Sequence, residues 1–163
     1  MRIASLPHMA RLAALVSVSV LLGPPHIAVK HVATPATASN GVVFELEVKH
    51  HTTPEDLNVK GRAEGIRDGR RVSIPLTVAH KATGVFTVNR QCYAGKAWVL
   101  VFSAEQGTDG KHGVVEAIVQ MDANGTVRNT AYTEPGFIDG KPIRATKQVD
   151  AALKQLGLVE APR

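Results

Sequence analysis

The chain has 163 residues, 19 of them basic and 14 acidic, with a formal net charge of +5 and a pI near 9.6. That length suits one domain, or a leader followed by one small domain, and a hydrophobic content of 44% argues against a disordered chain. A single cysteine excludes an internal disulfide framework and a zinc ribbon, and 4% aromatic residues argue against a base-stacking platform for nucleic acid.

Residues 1–38 contain no Asp or Glu. Arg2 and Arg11 make a basic start, and Leu12 to Leu22 runs without a charge. This run is shorter than the roughly 20 residues a membrane-spanning helix needs, but it suits the apolar region of a secretory signal. Gly23-Pro24-Pro25 ends any helix, because proline lacks the amide donor and clashes with the preceding turn. Ala36-Thr37-Ala38 offers small residues at the spacing a signal peptidase reads, which would make Ser39 the mature N-terminus. The expectation is a signal peptide or leader over 1–38, helical in its apolar part, and export to the periplasm or beyond. Gly23 to Ala38 is long for a cleavage region and carries Lys30 and two histidines. An uncleaved leader that tethers the protein to the membrane is therefore the alternative. No later apolar run is long enough for a transmembrane span in the mature chain. Arg2, Arg11 and Lys30 are three of the 19 basic residues, so 39–163 keeps 16 against 14 acidic, a net of +2. Nucleic acid is not expected as a partner; a protein or cell-envelope component is.

Residues 39–163 read as a single domain dominated by strands. Val42, Phe44, Leu46 and Val48 alternate with Val43, Glu45, Glu47 and Lys49, the period of a half-buried strand. After the break at Thr52 to Asp56, residues Leu57, Val59, Gly61 and Ala63 define a second. Asp68-Gly69 marks a hairpin turn. A third strand runs through Val72, Ile74, Leu76 and Val78, and Pro75 within it points to a sheet edge. Gly84 to Val88 is a fourth. Trp98 to Phe102 is a fifth, and its unbroken apolarity predicts a central strand buried on both faces. Val114 to Met121 and Thr126 to Tyr132 flank the Asn124-Gly125 turn as sixth and seventh. Val149, Leu153 and Leu156 recur at helical spacing, with Thr146 as N-cap and Gly157 as the left-handed C′ residue, predicting a helix over 147–156. The fold class expected is mainly β: an antiparallel, immunoglobulin-like β-sandwich of about seven strands with one short C-terminal helix. Phe44, Leu76, Phe86, Trp98, Val99 and Leu100 are the predicted core.

The Asp68-Gly69 turn, the apolar strand after it, Gly84-Val85-Phe86, Gly95 and Trp98-Val-Leu-Val lie within residues 57–103 and resemble the YtkA-like and FixH-like periplasmic domains. That resemblance implies an exported immunoglobulin-like sandwich near membrane or metal-handling machinery. Two residues, Lys96 and Ala97, separate Gly95 from Trp98 where that family usually has one, and no ligand residues carry over. Val114 to Tyr132, followed by Val149-Asp150-Ala-Ala-Leu153, looks like the hairpin and helix of TonB-type C-terminal domains, which implies partner binding by addition to a sheet edge.

No Gly-x-Ser-x-Gly elbow, Ser-x-x-Lys pair or phosphate-cradling glycine loop before a helix is present. Asp122-Ala-Asn124-Gly125 echoes the start of a calcium loop but lacks the distal acid and is explained as a hairpin. The candidate ligands are His50, His51 and Cys92, with His80, His112 and Met121 elsewhere. Copper favours imidazole with thiolate or thioether. In a regular strand His50 and His51 face opposite ways; an irregular end before Thr52 would be needed to bring them together. Arg90 and Lys96 near Cys92 would favour a thiolate, whereas a small buried cysteine needs no such role. Lys60, Arg62, Arg67, Arg70 and Arg71 form the one basic cluster, read either as a patch for an anionic partner or as a solvated hairpin crossed by Glu64 and Asp68. Glu105 and Glu116 receive no role. The expected function is an exported, non-catalytic binding or accessory module without cofactor, with a periplasmic copper-handling domain and sheet-edge partner binding as alternatives.

Overall fold

A computed structural model describes residues 25–32, 41–89, 91, 95–107, 113–134, 137–138 and 141–160. The apolar part of the leader, the Ala36-Thr37-Ala38 site, Cys92 and His112 lie outside these residues. In chain order the strands are β1 Pro25–His31, β2 Val42–His50, β3 Thr53–Pro54, β4 Asn58–Arg67, β5 Arg70–Leu76, β6 Val78–Ala82, β7 Val85–Asn89, β8 Trp98–Gln106, β9 Gly113–Met121, β10 Val127–Tyr132, β11 Phe137–Ile138 and β12 Lys141–Pro142; one helix, α1, spans Thr146–Gln155. The order in the first sheet is β1-β2-β7-β6, with β3 paired to β2; the second runs β10-β9-β8-β4-β5. All pairings in both sheets are antiparallel.

One apolar core joins the two sheets. Ile27, Phe44, Leu46, Val48, Phe86 and Val88 from the first pack with Ala63, Trp98, Leu100, Phe102, Ala117 and Val119 from the second, and the Phe44 and Phe102 rings lie 5.7 Å apart between centroids. A second, smaller core lies on the far side of the second sheet. There Val99, Val101 and Ile118 meet Ala145, Val149, Ala152 and Leu153. Strands β8 and β9 are thus covered on both faces, as the unbroken apolar run from Trp98 predicts. All six predicted core residues are buried.

The Asp68-Gly69 hairpin is tight. Arg67 pairs with Arg70, and Asp68 and Gly69 have φ of 51° and 72°, the two positive values that a twist-matched two-residue turn requires. Pro75 lies on β5, the outer strand of its sheet, where no neighbour needs its missing N–H. Gly65 is required for a different reason: a Cβ there would stand 2.7 Å from the Trp98 ring.

Three sequence expectations change. The third strand is two: the chain leaves the second sheet after Leu76 and enters the first at Val78, so Val78 is not in line with Leu76. Period-two patterning continues through Thr77 and cannot reveal the switch. Thr146 is not the N-cap. That place belongs to Ala145, without a side-chain cap of its own; Gly157, at φ 70°, does follow the helix as expected. Nine strands of five residues or more are present among the described residues, against about seven expected. One added strand comes from the split at Thr77, and the other is β1, within the stretch assigned to the leader.

Candidate functional site

Period-two patterning carries polar residues along one side of β4, where Asn58, Lys60, Arg62 and Glu64 alternate with core-facing positions. The register sets Asn58 opposite Glu105, Lys60 opposite Ser103, and Glu64 opposite Val99 on β8. Ser103 stands opposite Glu116 on β9, and Glu64 stands opposite Ser73 on β5. Cross-strand partners share a face, so these side chains all lie on the side of the second sheet away from the first. Helix α1, ten residues long, covers the apolar part of that face. The remainder is charged.

Three carboxylates are buried in it: Glu64, Glu105 and Glu116. Burial of an unpaired carboxylate costs several kcal/mol, and each is paired. Glu105 Oε2 lies 2.6 Å from Lys60 Nζ and accepts from Asn58 Nδ2 at 3.2 Å, while its Oε1 lies 2.9 Å from Arg144 Nη1. Glu116 Oε1 accepts from Arg62 Nη1 at 3.2 Å, and Glu116 Oε2 accepts the main-chain N–H of Ala145. Glu64 accepts from Arg62 Nε and Arg71 Nε, both at 3.1 Å, and from the Ser73 hydroxyl at 3.0 Å. Arg71 Nη1 reaches on to Asp150 of α1 at 2.6 Å. Four cations therefore meet four carboxylates. The three glutamates lie underneath, while Asp150 is exposed and the side chains of Arg62, Arg71 and Arg144 keep 34%, 36% and 38% of their surface in solvent. Burial pushes the Glu105 carboxyl upward, but the hydrogen bonds and charges of Lys60 and Arg144 outweigh it and hold the group below the usual carboxylate range. A shallow, open depression of about 310 Å3 lies beside the cluster, lined by Lys60, Gly61, Arg62, Ser73, Pro75, Val101 and Ser103.

The basic cluster read from the sequence therefore divides. Lys60, Arg62 and Arg71 are counterions of buried acids, so they form neither a bare cationic patch nor a merely solvated hairpin. Arg67 stays at the exposed turn, 3.8 Å from Asp68. Glu105, Glu116 and Arg144 were missed. The available signal was a pair of acids inside otherwise apolar strands, at Val101–Glu105 and Val114–Val119, which burial converts into a demand for cations.

The structure brings His50 and His51 together. His51 adopts φ 55° at the end of β2, the irregularity that adjacent strand residues need, and the two rings lie 4.5 Å apart. His50 Nδ1 is 3.3 Å from Glu55 Oε2, and its Nε2 is 3.4 Å from Gln106 Nε2. Among the described residues, no three His, Cys, Asp or Glu side chains are placed to hold one metal ion. His80 is elsewhere, with Nε2 3.1 Å from Asp56 Oδ1 and its ring edge-on to Phe86. The Asp122 carboxylate accepts the N–H groups of Asn124 and Thr126, both at 2.9 Å, as a hairpin turn requires. Among the described residues no helix is long and apolar enough to cross a membrane.

No family model, no curated protein and no solved structure matches the chain.

Proposed function

We propose that the protein is an exported, non-catalytic binding module of immunoglobulin-like β-sandwich type, which presents the charged face beside α1 to a protein or other component of the cell envelope. The observation that carries this reading is the pairing of every buried carboxylate in the cluster with a cation. A general acid needs a carboxyl group that stays protonated near neutral pH, whereas Glu105 is held the opposite way. What such a network provides is a rigid polar surface with guanidinium and ammonium groups at its rim, a form suited to recognition. The leader pattern supports export.

Two measurements test it. A C-terminal alkaline phosphatase fusion to the full chain is expected to be active, which requires translocation; an inactive, cytosolic fusion overturns export. A photo-crosslinking phenylalanine derivative at Ser73, beside the depression, is expected to give a discrete adduct with an envelope component. The same probe at Lys81, on the other sheet, is expected to give none. Equal labelling at both positions, or none at Ser73, overturns the assignment of the binding face.

The second reading is a copper-handling domain using His50, His51 and Cys92. The observation in its favour is the 4.5 Å approach of the two imidazoles, ligands of the type copper takes. Equilibrium dialysis of the purified protein against copper decides it: stoichiometric binding lost in His50→Ala supports it, and no stoichiometric binding eliminates it.

A further inference from the structure

The sequence places its best cleavage site at Ala36-Thr37-Ala38, beyond β1. A cut there would remove Pro25–His31 from the mature protein. The structure makes that strand part of the domain. Its seven residues pair with β2 without a break, from Pro25 opposite His50 to His31 opposite Phe44, and Val32 extends the ladder by donating its N–H to the Val43 carbonyl at 2.8 Å. Ile27 is 6% exposed within the core shared by the two sheets, and Val29 packs against the same core. Pro25 is buried as well. Its ring stands 2.9 Å from where a Cβ on Gly113 would lie, so the first residue of β1 and the first residue of β9 meet across the sandwich. The His31 and Phe44 rings are 5.3 Å apart.

The strand left behind would be a poor edge. β2 carries Phe44, Leu46 and Val48, all buried, and its ladder groups facing β1 would lose their partners. A long apolar edge invites pairing with other chains, whereas proteins protect edges with proline and charged side chains. β1 has such features: Pro25 opens it, and His26, Lys30 and His31 are exposed along it.

We propose that β1 is retained in the exported protein, so that any processing of the leader falls before Pro25 and Ala36-Thr37-Ala38 is not a cleavage site. The proposal rests on the export reading above for its cellular context. It also restores Lys30 to the mature chain, which then has 17 basic residues against 14 acidic.

The test is the intact mass and N-terminal sequence of the exported form of the full chain. The expected N-terminus is Pro25 or an earlier residue; Ser39 at the N-terminus of the exported protein overturns the proposal. Ala38→Arg, which a signal peptidase cannot accept at its cut, is expected to leave the exported species and its yield unchanged, and accumulation of a precursor overturns the proposal. If no chain is exported, the function proposed above fails while this inference is still decided, by thermal unfolding of residues 23–163 and 39–163 made in the cytosol. The shorter chain is expected to melt roughly 10 °C lower or more, with recovery on adding a peptide of residues 23–33. Equal melting temperatures, or no recovery with that peptide, overturn it.

Discussion

Glu116, on the doubly covered strand β9, accepts the main-chain N–H of Ala145, the N-cap residue of the C-terminal helix. A helix start leaves its N–H groups without partners and carries a partial positive charge. Here the acceptor and the negative charge come from a strand 29 residues away in sequence. The same carboxylate takes a hydrogen bond from Arg62 and lies 3.7 Å from Arg144. One side chain therefore ties β9, β4 and the approach to α1 together.

Replacing it should be costly. Glu116→Ala strands two arginines beside an empty acceptor site and is expected to destabilise by about 3–5 kcal/mol. Glu116→Gln keeps a carbonyl oxygen for the Ala145 N–H and is expected to lose less, about 1–3 kcal/mol. Urea unfolding followed by circular dichroism measures both. Equal losses in the two variants would show that charge, and not the Ala145 hydrogen bond, is what matters.

Thr146 provides the contrasting case. Its hydroxyl makes no cap hydrogen bond, so Thr146→Ala is expected to change stability by less than about 0.5 kcal/mol. A true N-cap threonine would cost about 1 kcal/mol. The unfolding midpoint in urea separates the two.

Gly65 and Trp98 form a close pair across β4 and β8. Because a Cβ at residue 65 would press on the indole at 2.7 Å, Gly65→Ala is expected to cost about 1–3 kcal/mol through overpacking. Trp98→Ala removes the ring and is expected to cost about 3–5 kcal/mol. Trp98 is the one tryptophan, so its emission reports on the first variant directly: Gly65→Ala should shift the folded-state spectrum. An unchanged spectrum and melting curve would mean that the ring is not packed there.

Glu105 predicts how stability depends on pH. Its folded carboxyl is held below the usual range, so the native state binds fewer protons than the unfolded state as the pH falls. Its contribution is fully present above the unfolded value, about 4.3, and is lost as the pH drops through the lower folded value. The urea midpoint is expected to fall over the acid interval below about pH 5. Glu105→Gln is expected to be less stable at pH 7 and to lose less across that interval; parallel curves for the two proteins would remove Glu105 from the account.

Much of the framework is legible from local chemistry. Asp68-Gly69 specifies its turn because two successive residues must take positive φ, and Asn124-Gly125 closes the β9–β10 hairpin for a related reason. Pro75 marks an edge because it has no N–H to give a neighbour. The charged site was hidden by distance along the chain. Lys60, Glu105 and Arg144 are ordinary surface residues in sequence and become one network only when β4 lies beside β8 and the chain before α1 crosses them. The pairing of His50 and His51 depended on a left-handed residue at a strand end, which no pattern of residue types announces.

By itself the sequence determines the periods: alternation for the strands, helical spacing for α1, and the unbroken run at Trp98 that requires cover on both faces. Each of these is set by neighbours a few residues away. Three things were decided only by the tertiary structure: that the chain changes sheets at Thr77, that buried acids recruit Arg62, Arg71 and Arg144, and that Pro25–His31 pairs with β2. Each depends on which distant strand supplies the missing hydrogen bonds, counter-charges and apolar cover, and those demands are met across the fold and not along the chain.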